Sequence, residues 1–269
     1  MNSIVNGMVN GRPVPPSRVR GRVLAAVALL LLAGLTAWSA AGIGVTLEVF
    51  LNASRIGRLV EESFPPAWNF WPRLVKPLLE TVQIAILGTL FGGIAALPLA
   101  VLAARTVSPS RPLYWLSRNV MNVLRTMPDL FWAMLFASAV GFGPFAGSLA
   151  LTVFTVAVVS KLTSESAESI DLKLTEAVRA SGGNWLETVW FSVLPQVLPQ
   201  YVSYVLYAFE LNVRASTVLG LVGAGGIGMV LNTQRTTFQY ARVTMIVLFI
   251  FAVVLAIEQL SAAARRRLV

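Results

Sequence analysis

The 269-residue chain has no cysteine and no histidine. The first absence excludes disulfides and thiolate metal sites; the second removes imidazole-based triads, zincin-type zinc sites and histidine proton relays. Lysine is nearly missing too. Lys76, Lys161 and Lys173 are the whole set and none follows a glycine, so no Walker A loop is present to cradle a nucleotide's phosphates. Charge is scarce: 12% of residues are Asp, Glu, Lys or Arg, against about 25% in an ordinary soluble domain. A chain this poor in polar chemistry is not expected to be an enzyme.

What is abundant is apolar, 56% of the residues. These fall into runs long enough to cross a hydrocarbon core of about 30 Å. The net charge of +9 is carried by clusters at the ends of those runs, which suits anchoring at a membrane face and does not require nucleic acid. The spacing predicts an all-α, polytopic membrane protein with about six spans: Val23–Ile43, Thr81–Ala104, Val120–Val140, Phe145–Ser160, Pro199–Val222 and Val243–Ile257. The first run resembles a signal peptide in its basic flank and in the small residues Ala37 to Ala41, but it is longer than a usual signal core and reads as a retained helix.

Residues 1–22, polar and carrying Arg12, Arg18, Arg20 and Arg22, read as a cytosolic tail, and 23–43 as the first helix. Residues 44–77 hold Pro65, Pro66, Trp68 and Trp71 and suit an extracytoplasmic interfacial segment. The main membrane domain is expected over 78–262, with a basic tail at 263–269. Gly88 and Gly92, in a charge-free stretch, permit close helix approach without specifying a partner. Six crossings place both termini on one side. The positive-inside rule makes that side the cytosol, because Arg105, Arg111, Arg118, Lys161, Lys173, Arg179 and both basic tails then fall inside.

A long charged stretch, about 161–197, separates the fourth and fifth spans. Gly182 and Gly183 can close one short helix, and Asn184 with Glu187 offers a capping-box-like start for another. Leu186, Val189, Trp190 and Val193 then recur at helical spacing, predicting a helix across the cytosolic face. Glu176-Ala177-Val178, Gly182 and Leu194-Pro195 are similar to the EAA motif of ABC-importer permeases. Val178 replaces the usual third-position alanine and Ser192 stands where isoleucine is frequent. Arg125-Thr126-Met127-Pro128-Asp129-Leu130, Gly141 to Gly147 and Glu210 to Gly228 resemble the phosphonate-importer branch.

That resemblance implies an importer subunit for phosphonate, phosphate or a related oxyanion in the bacterial cytoplasmic membrane. It implies separate ATPase subunits that hold the ATP and magnesium, no cofactor in this chain, an extracytoplasmic solute-binding protein, and a second permease copy or paralogue. Glu176, Ala177, Gly182, Leu194 and Pro195 would couple to the ATPase. The alternatives are an ABC permease for an amino acid such as methionine, or a secondary transporter, although no inverted repeat is evident.

Ser203, Tyr207, Glu210, Arg214 and Thr217 share one face of the fifth span. Charge at membrane depth is expensive and faces a bundle interior or a watery cavity, so these residues are translocation-path candidates. Glu210 and Arg214 are also an i,i+4 pair, which leaves mutual neutralisation open. Asn122, Arg125, Asp129 and Trp132 repeat the arrangement in the third span. Arg125 and Asp129 are further path candidates, with snorkelling of Arg125 as the alternative, so for bidentate recognition of an oxyanion Arg214 is the better candidate and Arg125 the weaker. Gly223 to Gly228 satisfies G-x-G-x-x-G, but no acid lies between Glu210 and Glu258 to hold a ribose, so a tightly packed helix break is the expectation.

Overall fold

The computed structural model describes residues 8–9, 12–13, 18–43 and 53–266. Most of the expected N-terminal tail, residues 44–52 of the interfacial segment and Arg267 lie outside the described residues. The chain divides into two compact units, Met1–Val60 and Glu61–Val269. In the first, Met8–Val9 pairs antiparallel with Arg12–Pro13, and α1 runs over Arg18–Ile43. From Gly21 its apolar side chains are exposed, and 23 residues at about 1.5 Å each span about 35 Å, enough to cross a bilayer. Helix α2, Ala53–Ser63, begins here and ends in the second unit.

The second unit is a helical bundle. A 3₁₀ turn at Trp68–Phe70 leads into α3 (Pro72–Ala103), followed by α4 (Arg111–Thr126), α5 (Asp129–Val140) and α6 (Pro144–Glu168). Then come α7 (Leu172–Ala180), α8 (Trp185–Thr188), α9 (Leu194–Gly220), α10 (Gly226–Thr236) and α11 (Tyr240–Arg265). Helices α3, α6 and α9 form the centre. The small residues foreseen for close approach do their work within the chain: a Cβ on Gly88 would collide with Leu151 of α6, and one on Gly92 with Thr155. Ile84, Leu151, Leu219 and Ala224 fill the core beside them.

Uncharged polar links cross this centre. Asn212 Nδ2 donates to Thr89 Oγ1 and Thr155 Oγ1, both at 2.8 Å, joining the three central helices. Tyr201 donates to the Gly93 carbonyl at 2.8 Å. In an apolar surrounding each unmade bond would leave a polar group without water to turn to, so such links fix helix register.

α1, α3, α6 and α11 are long and apolar enough to cross a membrane. The expected single span over 120–140 is instead two helices, α4 and α5, bent by 91°. Pro128 is the cause. Met127 before it is extended (φ −90°, ψ 133°), as the proline ring requires, and helix cannot continue through that geometry. The expected fifth span, α9, has 27 residues but is more polar, since Gln196, Gln200, Glu210, Asn212 and Arg214 interrupt it. Several helices also outrun their apolar runs, α6 continuing to Glu168 and α3 starting at Pro72. Charged and hydroxylic residues extend a helix past the lipid as readily as they end the hydropathy signal.

Candidate functional site

The charged stretch after α6 folds as a helical hairpin. Asp171 caps α7 by accepting from the Lys173 amide at 3.0 Å. Gly182, with φ +86°, takes the left-handed turn that ends the helix, a conformation that costs a side chain about 1–2 kcal/mol. The expected capping box is complete: Asn184 Oδ1 accepts from the Glu187 amide at 2.9 Å, and Glu187 Oε2 accepts from the Asn184 amide at 2.7 Å. Thr175 and Ser192 hydroxyls meet at 2.8 Å between the hairpin's two arms.

The expected apolar stripe Leu186–Val189–Trp190–Val193 does not stay on one face. Residues Val189–Val193 form a π-helical turn, whose extra residue per turn rotates the stripe. Val193 is buried against Val101, Ala104 and Val197 with Val189 packed beside it, while Leu186, Trp190 and Phe191 are each about two-thirds exposed. Of the motif residues, Glu176, Ala177, Gly182 and Pro195 lie on the surface, and Leu194 is half-buried. The hairpin is fastened to the bundle by Trp185, whose indole N–H donates to the Val107 carbonyl at 2.8 Å. Nearby, Glu168 at the end of α6 accepts from Arg118 Nη1 at 3.0 Å and from the Arg105 amide at 2.9 Å. Both fastenings escaped sequence reasoning, because each joins residues 50 or more positions apart whose pairing has no periodic signature.

The intramembrane charges are arranged differently from the expected i,i+4 pairs. Arg214 pairs with Glu258 of α11, not with Glu210. Glu210, whose side chain is 8% exposed, is approached at 2.8 Å by Arg265, an ion pair without hydrogen-bond alignment. Two cross-helix pairs therefore tie α9 to α11. The reason is geometric: on one helix the two side chains could meet only along the surface, whereas the antiparallel neighbour presents opposite charges at matching heights. Ser203 and Thr217 back-bond to the Pro199 and Val213 carbonyls, and Tyr207 is exposed, so the stripe holds one face without converging on one point.

At the α4–α5 break the polar face divides, since the two helices diverge. Among the described residues no ion pair joins Arg125 to Asp129. Both line a cavity of ≈ 520 Å³ that α9 closes with Ala215, Val218 and Leu219. Asn122 lies on the far side of the break on α4 and is exposed. Arg125 and Asp129 are thus the charged groups of an otherwise largely apolar cavity.

Residues 96–269 match the family described as binding-protein-dependent transport system inner membrane component. The chain is similar to the phosphate-import permease protein PhnE of Mycolicibacterium smegmatis, 43% identical over 190 residues that cover 71% of this chain and 36% of that protein. It therefore spans little more than a third of that relative's length. It is also similar to the phosphite transport system permease protein PtxC of Stutzerimonas stutzeri, 37% identical over 211 residues covering 78% of this chain and 77% of that one. In fold it resembles the inward-facing MetNI methionine ABC transporter, with a TM-score of 0.66 at 22% identity, covering 75% of this chain and 98% of that one.

Proposed function

Because the chain belongs to the family of binding-protein-dependent transport system inner membrane components, we propose that it is the membrane-spanning permease of an ATP-driven importer of phosphate-type oxyanions. It is a transport subunit, not an enzyme. In this reading ATPase subunits carry ATP and magnesium, a solute-binding protein delivers the substrate, and a second copy of this chain or a paralogue completes the pathway. Both termini face the cytosol. The relatives named for phosphate and phosphite support the substrate class.

The observation that carries the reading is the hairpin. Leu186, Trp190 and Phe191 project from a rigidly capped element that Trp185 fastens to the bundle. Three large exposed apolar side chains on one short element are an interface hot spot in waiting, since buried aromatics dominate binding energies. Docked in a groove of the ATPase, the hairpin would pass its displacement into α9 through the π turn and to the α3–α4 connection through Trp185.

Trp190→Ala is expected to weaken ATPase capture by about thirtyfold, the equivalent of an interface residue worth about 2 kcal/mol. Because Trp190 is exposed, membrane insertion and melting of the isolated permease should not change. Gly182→Leu should strain the turn and lower substrate-stimulated ATP hydrolysis while the helices stay inserted. Pull-down and coupled ATPase assays on reconstituted complex check both. Unaltered capture and coupling in the two variants would remove the hairpin from the docking role.

For the path, Arg214 is taken up by Glu258, and the cavity beside Arg125 supports Arg125 in its place as the oxyanion's contact. A guanidinium recognises phosphate-type oxygens by bidentate hydrogen bonds, and each charge-assisted bond contributes about 1.5–3 kcal/mol. Arg125→Leu is therefore expected to reduce uptake by about tenfold or more, with Arg125→Lys intermediate. Asp129, which lines the same cavity, would keep a second anion from lodging. Equal uptake by wild type and Arg125→Leu at matched expression would exclude the contact.

A further inference from the structure

The loop between α3 and α4 shapes a second cavity, of ≈ 750 Å³, which the transport reading does not use. Arg105, Ser108, Ser110, Arg111, Tyr114 and Trp115 are its working side chains. It lies at the hairpin end of the bundle, since Val107 in the same loop accepts from Trp185. Its charge is one-sided. The nearest carboxylate, Glu168, is engaged by the Arg118 guanidinium and by the backbone amide of Arg105, and among the described residues no acid pairs with the guanidinium of Arg105 or Arg111.

Its walls are also two-natured. Beside these hydroxyl and guanidinium donors the cavity has an apolar ring, Trp115, which is 61% exposed. A cavity of this volume is large enough for a lipid headgroup, and basic pockets among membrane helices are suited to anionic headgroups. A soluble anion would use the donors and leave the exposed indole of Trp115 unemployed.

We propose that this cavity binds an anionic phospholipid, with Arg105 and Arg111 holding the phosphodiester, the serine hydroxyls at its edge, and the start of an acyl chain against the indole of Trp115. Tyr114, held under the Arg118 guanidinium at 5.7 Å, forms the cavity's fixed floor. Trp115 sits at the boundary between headgroup and chain, the place an amphipathic ring prefers.

The test is native mass spectrometry on the full-length chain in detergent, titrated with phosphatidylglycerol and, separately, phosphatidylcholine. Phosphatidylglycerol should be retained at least about tenfold better, and Arg105→Gln and Arg111→Gln should each lower that retention about fivefold, as expected of one basic residue beside an anionic lipid. Arg179→Gln, which removes an exposed charge outside the cavity, should leave retention unchanged; an equal loss there would reduce the effect to general electrostatics and overturn the site. Millimolar inorganic phosphate should not displace the lipid, and complete displacement would make this a free-phosphate site and overturn the proposal. A photoactivatable phosphatidylglycerol on wild-type protein keeps the test independent of variant folding. Crosslinks within 105–123 are expected, and their absence from that segment would overturn it.

Discussion

Gly228→Leu is expected to abolish the folded bundle, with no monodisperse, thermally cooperative protein recovered in detergent. Helix α10 turns back on the end of α9 with almost no side-chain volume between them. A Cβ on Gly228 would run into the Thr217 carbonyl, and one on Gly220 would stand 2.6 Å from the Gly225 carbonyl and 2.7 Å from the Gly228 Cα. Those neighbours are backbone, so no rotamer change can make room. Ordinary overpacking costs about 1–3 kcal/mol, and a collision with main chain exceeds that against a total stability of about 5–15 kcal/mol. The contact also positions Thr81, whose hydroxyl accepts from the Ile227 amide at 2.8 Å and donates to the Pro77 carbonyl at 2.9 Å. Fluorescence-detected size-exclusion with a melting series checks this. Gly34→Leu serves as the control, because a Cβ there meets nothing within 4 Å and the variant should melt as wild type does. A normal peak for Gly228→Leu would mean that the α9–α10 turn is not packed as described.

The glycine cluster shows how far the sequence can be read. Its match to a dinucleotide fingerprint was dismissible from the missing acid, and a tight helix break was the remaining physical use for so many absent side chains. The partners of the break, Thr81 and Thr217, were not foreseeable, because they come from positions more than a hundred residues away or from the preceding helix's own carbonyls. The hairpin was more legible. Asn184, Glu187 and Gly182 act within a few residues of themselves, and local chemistry of that kind survives whatever the bundle does. Its apolar stripe was misjudged because a π turn is a tertiary compromise, invisible to a 3.6-residue period.

The same division explains the third span and the buried polar centre. Pro128 announced a disruption, yet a 91° bend could not be distinguished from a kink without knowing what α9 leaves open beside it. Asn212 was passed over because it falls off the polar face shared by Ser203, Tyr207, Glu210, Arg214 and Thr217. Thr89 and Thr155, hydroxyls on the two neighbouring central helices, were the signal that could have found it: hydrogen-bonding residues at membrane depth need one another.

Charge pairing is where the tertiary structure most changes the expected chemistry, and it yields the second large effect. Were Glu210 and Arg214 partners on one helix, exchanging them would preserve the pair. With the observed partners, combining Glu210→Arg with Arg214→Glu would bring a new guanidinium against Arg265 and a new carboxylate against Glu258, two repulsive contacts where two attractive ones stood. Removing one member of a buried pair costs about 3–5 kcal/mol, and Glu210 is the buried member here. The double exchange along α9 should therefore transport no better than either single change and should melt lower than both. Rescue is expected instead across the helices, from Arg214→Glu with Glu258→Arg, which restores the attraction at a site where both side chains are partly exposed. Uptake and melting temperature for Glu210→Arg, Arg214→Glu and Glu258→Arg alone and for the two doubles, at matched insertion, decide between the geometries. If the α9 exchange restores transport and the cross-helix exchange does not, Arg214 is paired along its own helix and the α9–α11 tie is not what holds it.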